Sequence, residues 1–367
     1  MKKLFVYLLT CLFLFAPVAH AWDGVAFSSR AGVNPTGLVF AGLPLHSTLS
    51  SIRDRSRQDN DFEQNTVGKQ YAFASSMNAS NPVWDLDGSD FIAQKTYDIN
   101  QGAMTFVADA GAAEFRDAGQ DFSDWETAPA AGLASYRIVI TTNNGISYGY
   151  MGASNNGGTD IDIYSDYALT TRGWKGRTTP QVSPDTAASY VVYKIIGTTN
   201  LAGDQSHIFL GVKPDDGQGV DQTFSSIQDN SLGDFRSMLF YKKDDGHVWI
   251  YLSGDGVNTT YEKTDAVIYA NGAQASFNQI GFVYNGTTCV IYNNGSVEAS
   301  TTTGAIPASF FDSHIPLAIG GLNVTSLPAG YLNGQIALYL IYERALTAAE
   351  VQRLVLQAWE EGLVSQN

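Results

Sequence analysis

Cysteine is almost missing from this chain of 367 residues: there are two, Cys11 and Cys289. Cys11 lies in an apolar N-terminal run. If that run is removed, one thiol remains and no internal disulfide framework can form. Cys289 stands among strand-forming residues with no basic neighbour to stabilise a thiolate, so it reads as a buried thiol and not as a nucleophile. Cations are also scarce. Twenty-one Lys and Arg face 36 Asp and Glu, for a net charge of −15, which argues against nucleic acid and anionic membrane surfaces as main partners. His46, His207, His247 and His314 are far apart, and none sits in a His-Glu-x-x-His frame; a Cys-x-x-Cys frame is equally absent. The chain has no Gly-x-Ser-x-Gly elbow and no phosphate-cradling Gly-x-x-x-x-Gly-Lys loop. Past the N-terminus, no apolar run is long enough to span a bilayer.

Residues 1–21 have the layout of a secretory signal peptide. Lys2 and Lys3 form the basic start, residues 4–15 the apolar stretch, and Ala19-His20-Ala21 a small-x-small cleavage site before Trp22. The run is too short to serve comfortably as a membrane anchor. Thr10 before Cys11, and the apolar sequence after it, disfavour a lipoprotein. The expectation is an exported product, secreted, periplasmic or at the cell surface, with no membrane insertion after cleavage. Cleavage removes two lysines and no acid, so the mature chain is more acidic still.

Glycine is abundant, at 36 residues, and 19 Tyr and 19 Phe accompany a hydrophobic content of 44%. That composition suits a β-rich globular protein. Residues 22–36 are a short head without clear periodicity. Residues 37–45 read as a first strand, followed by a polar segment at 53–61. Residues 279–284 and 288–292, with Asn285-Gly286 between them and Asn294-Gly295 after, form a hairpin series, because Asn-Gly adopts the positive φ angles of two-residue turns. Residues 331–342 are rich in β-branched and aromatic side chains and read as a strand. Thr347 and Glu350 then have the spacing of a capping box. Val351, Leu354, Val355 and Ala358 give the helix that follows one apolar face, and Gly362 is a plausible stop.

The closing segment resembles that of LamG-like, concanavalin A-like jelly-roll domains. That family's pattern is a Gly, an Ile two residues on, then Ile-Tyr-x-Arg-x-Leu-Ser/Thr-x-x-Glu, met here by Gly334, Ile336, Ile341-Tyr342, Arg344, Leu346, Thr347 and Glu350. The opening is similar too: a Gly-Leu-Val strand ending in Pro-Leu precedes an Asp-x-Ser turn, matched by Asp54 and Ser56, although Arg57 and Asp59 stand where the family has glycines. Asp87-Gly88-Ser89 and residues 315–321 add two further likenesses. The resemblance implies an all-β fold, a jelly-roll sandwich of two antiparallel sheets with one short C-terminal helix, running over residues 37–362. This is long for a two-sheet sandwich. The excess lies between about 105 and 276, where residues 136–141, 190–196, 207–212, 238–241 and 248–252 are strand-like. We read these as further sandwich strands carrying long loops; the alternative is a small inserted subdomain within 143–185.

Hydrolases on this sandwich place Glu-x-Asp-x-x-Glu, or one residue less, on one strand, so that acid and nucleophile flank the glycosidic bond. The nearest pattern here is Asp160, Asp162 and Asp166, which has neither the spacing nor the glutamates. It reads better as a solvated strand face or part of a cation site. Sugar sites pair flat aromatic rings with a few fixed polar groups. Two loops have those ingredients. Arg172, Trp174 and Lys175 place a ring among glycines and cations. Asn144, Tyr148 and Tyr150 place rings beside amides, although tyrosines at alternate positions also pack on sheet faces. Trp84, Trp125, Trp249 and Trp359 read as filling the core or the sandwich edges. The family resemblance further implies calcium at a loop rim, with oxygen ligands. Asp59 with Asp61, Asp85 with Asp87, Asp160 with Asp162, and Asp215 with Asp216 offer such groups without singling out a ligand set.

The leading expectation is a secreted, non-catalytic, lectin-like or adhesion protein binding a glycan or another extracellular surface ligand. A structural or attachment protein of an envelope, fibre or virus particle, acting by self-assembly, is the alternative. A glycoside hydrolase on the same fold ranks third.

Overall fold

The computed structural model describes residues 23–42, 51–56, 60, 62–63, 72–75, 82–87, 92–94, 96–99, 104–109, 112–117, 120–125, 134–142, 145–155, 158–166, 168–172, 174–175, 189–195, 203–228, 237–274, 276–313, 315–322 and 330–362. The proposed signal peptide, Asn144, His46, His314, Asp59 and Asp61 lie outside them.

The described strands form three antiparallel sheets. Sheet I has nine strands. Ser296–Val297, Cys289–Asn293, Asn278–Tyr284 and Gln205–Pro214 run in order to Asn333–Ile336, Pro82–Asp87 and Ala72–Ser75. Tyr339–Tyr342 also pairs with Gln205–Pro214 and carries Leu38–Gly42 on its other side. Sheet II, also of nine, runs Ser51–Ile52, Phe62–Glu63, Ile92–Gln94, Ala318–Ile319, Gln222–Ile227, Met238–Lys242, Val248–Leu252, Thr260–Thr264 and Ser300–Thr303. Strands from the beginning and the end of the described residues, Leu38–Gly42 and Tyr339–Tyr342, thus pair in sheet I, as the family resemblance implies.

Alternation along the strands decides what lies between the sheets. Phe209, Ile280, Phe282, Tyr339 and Ile341 of sheet I meet Phe224, Phe240, Val248 and Ile250 of sheet II in one apolar core. The intervening residues of sheet I, Ile208, Leu210, Val283, Leu340 and Tyr342, face the other way into a second core. Two helices close that core: α1, Gly24–Arg30, through Phe27, and α2, Ala348–Glu360, through Val351, Leu354, Val355 and Ala358. Sheet I is therefore buried on both faces. At roughly 1.5–3 kcal/mol for each large apolar side chain removed from water, these two layers dominate the stability of the sandwich.

Local chemistry explains both ends. Thr347 Oγ1 accepts the Glu350 N–H at 3.3 Å and Glu350 Oε2 accepts the Thr347 N–H at 2.9 Å, a reciprocal capping box. Gly362, at φ +67°, follows the helix in the left-handed region that glycine enters without strain. Gly334 is required for another reason: a Cβ there would lie 2.4 Å from the Lys213 carbonyl oxygen. The Asp54 carboxylate accepts N–H bonds from Ala41, Ser56 and Asn60 and the Ser56 hydroxyl at 2.6–3.0 Å, which ties the turn back to the first strand. The head differs from its reading. It contains α1, capped by Asp23, whose Oδ1 accepts from Val25 and Ala26. Seven residues are too few for a periodic apolar face to show in the sequence.

The middle of the chain needs a correction. Residues 207–212, 238–241 and 248–252 are sandwich strands, but 136–141 and the described part of 190–196 are not. They belong to sheet III, seven strands in the order Thr96–Ile99, Ser189–Lys194, Tyr136–Thr142, Gly145–Asn155, Asp160–Tyr164, Ala112–Asp117 and Met104–Asp109. Sheet III is continuous in sequence and enters between a strand of sheet II and a strand of sheet I. It exceeds the alternative subdomain within 143–185 at both ends. It has its own core of Phe115, Phe122, Ile138, Ile140, Met151, Ile161, Ile163, Tyr190 and Val192. A period of two identifies a strand without identifying its neighbours.

Candidate functional site

Two faces carry chemistry-bearing side chains, one on sheet III and one on sheet II. Three of the residues singled out in the sequence converge on the first. Register places Tyr193, Arg137, Tyr150 and Tyr164 side by side across four strands, and Tyr148 lies on the same face. Arg137 is wholly buried and forms an ion pair with Asp312, which arrives on the loop after the strand Ser300–Thr303. Tyr150 donates its hydroxyl to Asp312 Oδ1 at 2.7 Å, and Lys175 pairs with Oδ2. Tyr148 donates to the Asp312 carbonyl oxygen at 3.1 Å, and Arg137 donates to that of Ser313. Backbone bonds of 2.8 and 3.1 Å between Tyr148 and Lys175 hold the Lys175 segment against this strand. Burial pushes the Asp312 carboxyl up, but the Arg137 and Lys175 charges more than reverse this and leave it below its ordinary value.

Arg172 borders the same face, its guanidinium 5.9 Å from the Tyr164 ring centroid, whereas Trp174 lies on the opposite one. Arg172 pairs with Asp162, with Glu114 at 3.9 Å. Trp174 packs half-buried on the sheet III core, edge-on to Phe115 with centroids 6.4 Å apart. The aspartates closest to the hydrolase pattern are likewise committed: Arg116 grips Asp160, Arg172 grips Asp162, and Asp166 closes the turn to Thr170 and Thr171. Asp160 and Asp162 are buried, so the solvated-face reading of this strand does not hold. Each carboxylate is neutralised by an arginine from a neighbouring strand or turn. Among the described residues, no three His, Cys, Asp or Glu side chains converge as a metal site, and no helix is long and apolar enough to cross a membrane.

Sheet II presents the other face. Phe240, Ile250 and Glu262 point into the sandwich, so Tyr241, Trp249, Tyr251, Tyr261 and Lys263 point out. Tyr241 is opposite Trp249, Tyr251 opposite Tyr261, and Trp249 opposite Lys263. The four rings form a compact cluster. Trp249 and Tyr261 are 4.6 Å apart, Tyr251 and Tyr261 5.5 Å, Tyr241 and Tyr251 5.6 Å, and Trp249 and Tyr251 5.9 Å between centroids. Tyr241 is buried and the other three rings are half-exposed. The Lys263 ammonium lies 5.2 Å from the Trp249 centroid and 3.5 Å from Asp245. Burial, and then the hydrogen bond with Tyr251, push the Tyr241 phenol far above its ordinary value, so its hydroxyl stays protonated. The sequence reads Trp84, Trp125, Trp249 and Trp359 as filling the core or the sandwich edges. Trp84 is indeed in the sandwich core, Trp125 packs on sheet III and Trp359 under the helices, but Trp249 is on the outer surface. The available signal was the outward aromatics of three successive strands: Tyr241, Trp249 with Tyr251, and Tyr261.

The fold has a known relation. Residues 208–352 match the family model described as the concanavalin A-like lectin/glucanases superfamily. This segment, less than half of the chain, includes the central strands of both sandwich sheets and the aromatic face. The sandwich is thus of the concanavalin A-like jelly-roll type. No curated protein matches the chain. Among solved structures it is similar to the CBM40 of the Ruminococcus gnavus IT-sialidase bound to α2,3-sialyllactose, at 16% identity over 43% of this chain and 85% of that one, with a TM-score of 0.35. It is similar also to domain 4 of AbnA, a GH43 extracellular arabinanase from Geobacillus stearothermophilus in complex with arabinotriose, at 13% identity over 87% and 98% of the two chains, with a TM-score of 0.40. A heptameric SAP-like pentraxin from Limulus polyphemus follows at 14% identity, 42% and 70% coverage and a TM-score of 0.32.

Proposed function

We propose that the protein is an exported carbohydrate-binding protein without catalytic activity, and that the outer face of sheet II is its sugar platform. The observation that carries this reading is the half-exposed aromatic cluster of Trp249, Tyr251 and Tyr261 around Tyr241. A pyranose offers an apolar C–H face and a rim of hydroxyls. Aromatic side chains with polar tips complement both, because the ring takes the apolar face and the phenol bonds the rim. The match of residues 208–352 to a lectin and glucanase superfamily supports the same reading. The non-catalytic part rests on the engagement of Asp160 and Asp162 by arginines, which leaves neither free to act as acid or nucleophile.

A glycan array with the mature protein tests the proposal. Retention on at least one glycan is expected, lost in Trp249→Ala and kept in Trp174→Ala. A variant pattern the other way round would move the site to sheet III, and no retention on any glycan would reject the reading. EDTA in the same assay tests the calcium expectation, and incubation of the array polysaccharides with the protein, followed by a reducing-end measurement, tests for hydrolysis.

A further inference from the structure

Asp312 is held on sheet III in the way a receptor holds a ligand. Its Oδ1 takes Arg137 and the Tyr150 hydroxyl, its Oδ2 takes Lys175, its carbonyl oxygen takes Tyr148, and the next carbonyl, of Ser313, takes Arg137 again. Every donor comes from sheet III or from the Lys175 segment paired with it, and the acceptors come from one short stretch of the sandwich. Two cations meet one carboxylate, so the cluster keeps a positive surplus within an acidic chain. The Arg137 side chain is wholly buried, and its Nε has no acceptor among the described residues. Lys175 is one-third exposed and Asp312 17% exposed, which leaves one side of the seat on solvent. A buried arginine and a partly buried lysine fixed on opposite oxygens of one carboxylate make a preorganised anion seat, because the desolvation of the arginine is already met within the fold.

We propose that sheet III carries a carboxylate-binding seat, formed by Arg137, Tyr150 and Lys175, which the protein itself fills with Asp312. An external carboxylate enters it only when the loop carrying Asp312 lifts. The tether gives Asp312 a high effective concentration, at the millimolar level or above for a short connection, so the intact chain holds the seat closed. This seat is separate from the aromatic face and does not depend on the sugar-platform reading.

Replacement of Asp312 tests the proposal. Asp312→Ala should acquire saturable binding of acetate, read as a rise in thermal midpoint against equal ionic strength of chloride. The apparent affinity should be at least about tenfold above that of the parent chain, in keeping with removal of a tethered competitor. Addition of Lys175→Ala should abolish the response. N-acetyl-aspartyl-serine amide and glucuronate, titrated in parallel, distinguish a peptide-like from a sugar-acid ligand: the dipeptide binds more tightly if the Tyr148 and Arg137 bonds to the backbone carbonyls matter. Asp312→Ser empties the seat, keeps the backbone carbonyl contacts and serves if the alanine variant does not fold. If neither variant responds to carboxylate beyond the chloride control, Asp312 is only a fastening between sheets and the proposal fails.

Discussion

Arg137 and Asp312, 175 positions apart in sequence, form an ion pair in which the guanidinium has no solvent exposure. The pair fastens sheet III to the sandwich, and its energetics follow from the asymmetry of buried charges. Removing Asp312 strands the buried guanidinium, at a cost of about 3–5 kcal/mol, whereas replacing both partners with apolar groups of similar volume is close to neutral. Asp312→Leu should therefore lower the urea midpoint strongly, and Arg137→Met with Asp312→Leu much less. Equal losses in the single and double variants would refute the coupling.

The aromatic face makes a prediction that does not need the ligand's identity. Trp249→Ala removes the central ring of a surface cluster whose core-facing neighbours, Phe240 and Ile250, are untouched. Fold stability should fall by less than the about 3–5 kcal/mol of truncating a tryptophan in the core. Glycan retention should disappear. A large drop in the thermal midpoint would show instead that the ring is structural.

His207 predicts a pH dependence. It is wholly buried in sheet I, stacked on Phe282 with centroids 4.7 Å apart, with Nδ1 2.5 Å from the Tyr339 hydroxyl and Nε2 2.8 Å from Gln205 Oε1. Burial lowers its pKa to about 3 in the folded protein. The unfolded value is about 6.5, so the unfolded chain binds the proton first. Stability from the neutral ring is fully present above pH 6.5 and falls as the pH drops toward 3. Between pH 7 and pH 5 the loss is about 2 kcal/mol from this group. Urea denaturation of His207→Gln should show a shallower fall over that interval. An unchanged slope would contradict the burial of a neutral imidazole.

The C-terminal cap predicts a loss in the same direction at lower pH. Glu350 bonds Arg344 at 2.8 and 3.1 Å as well as the Thr347 N–H, and the Arg344 bond first, against the cost of burial, holds its carboxyl at about 2. The folded value is depressed, so its contribution is present above the ordinary glutamate range and is lost as the pH falls from about 4.5 toward 2. Glu350→Gln should cost roughly 1 kcal/mol at pH 7, the usual worth of a cap. The difference from the parent should vanish near pH 2, as seen by acid titration of the far-ultraviolet circular dichroism. A difference that persists at pH 2 would locate the effect in packing.

Much of the sandwich could be read in the chain because its signals are local. The Thr347 and Glu350 spacing, the apolar stripe from Val351 to Ala358, the Asp54 and Ser56 turn, and the Asn294-Gly295 hairpin each act over a few residues, within reach of short-range sterics and hydrogen bonding. The alternation at residues 339–342 even distinguishes two faces, although not that both are buried, since the second cover depends on how α1, distant in sequence, and α2, close by, pack on the sheet. Residue type singles out Tyr148, Tyr150 and Lys175, which the structure gathers around Asp312. It does not single out their partner, because Asp312 lies beyond the end of their own sheet in sequence. Nor could alternation say which strands of the middle join which sheet, or turn Trp249 outward, because a period of two has no preferred direction until a neighbour buries one side. Those choices, with the seat around Arg137, belong to tertiary structure, where free energy depends on which apolar surfaces and charges are brought together across long stretches of chain.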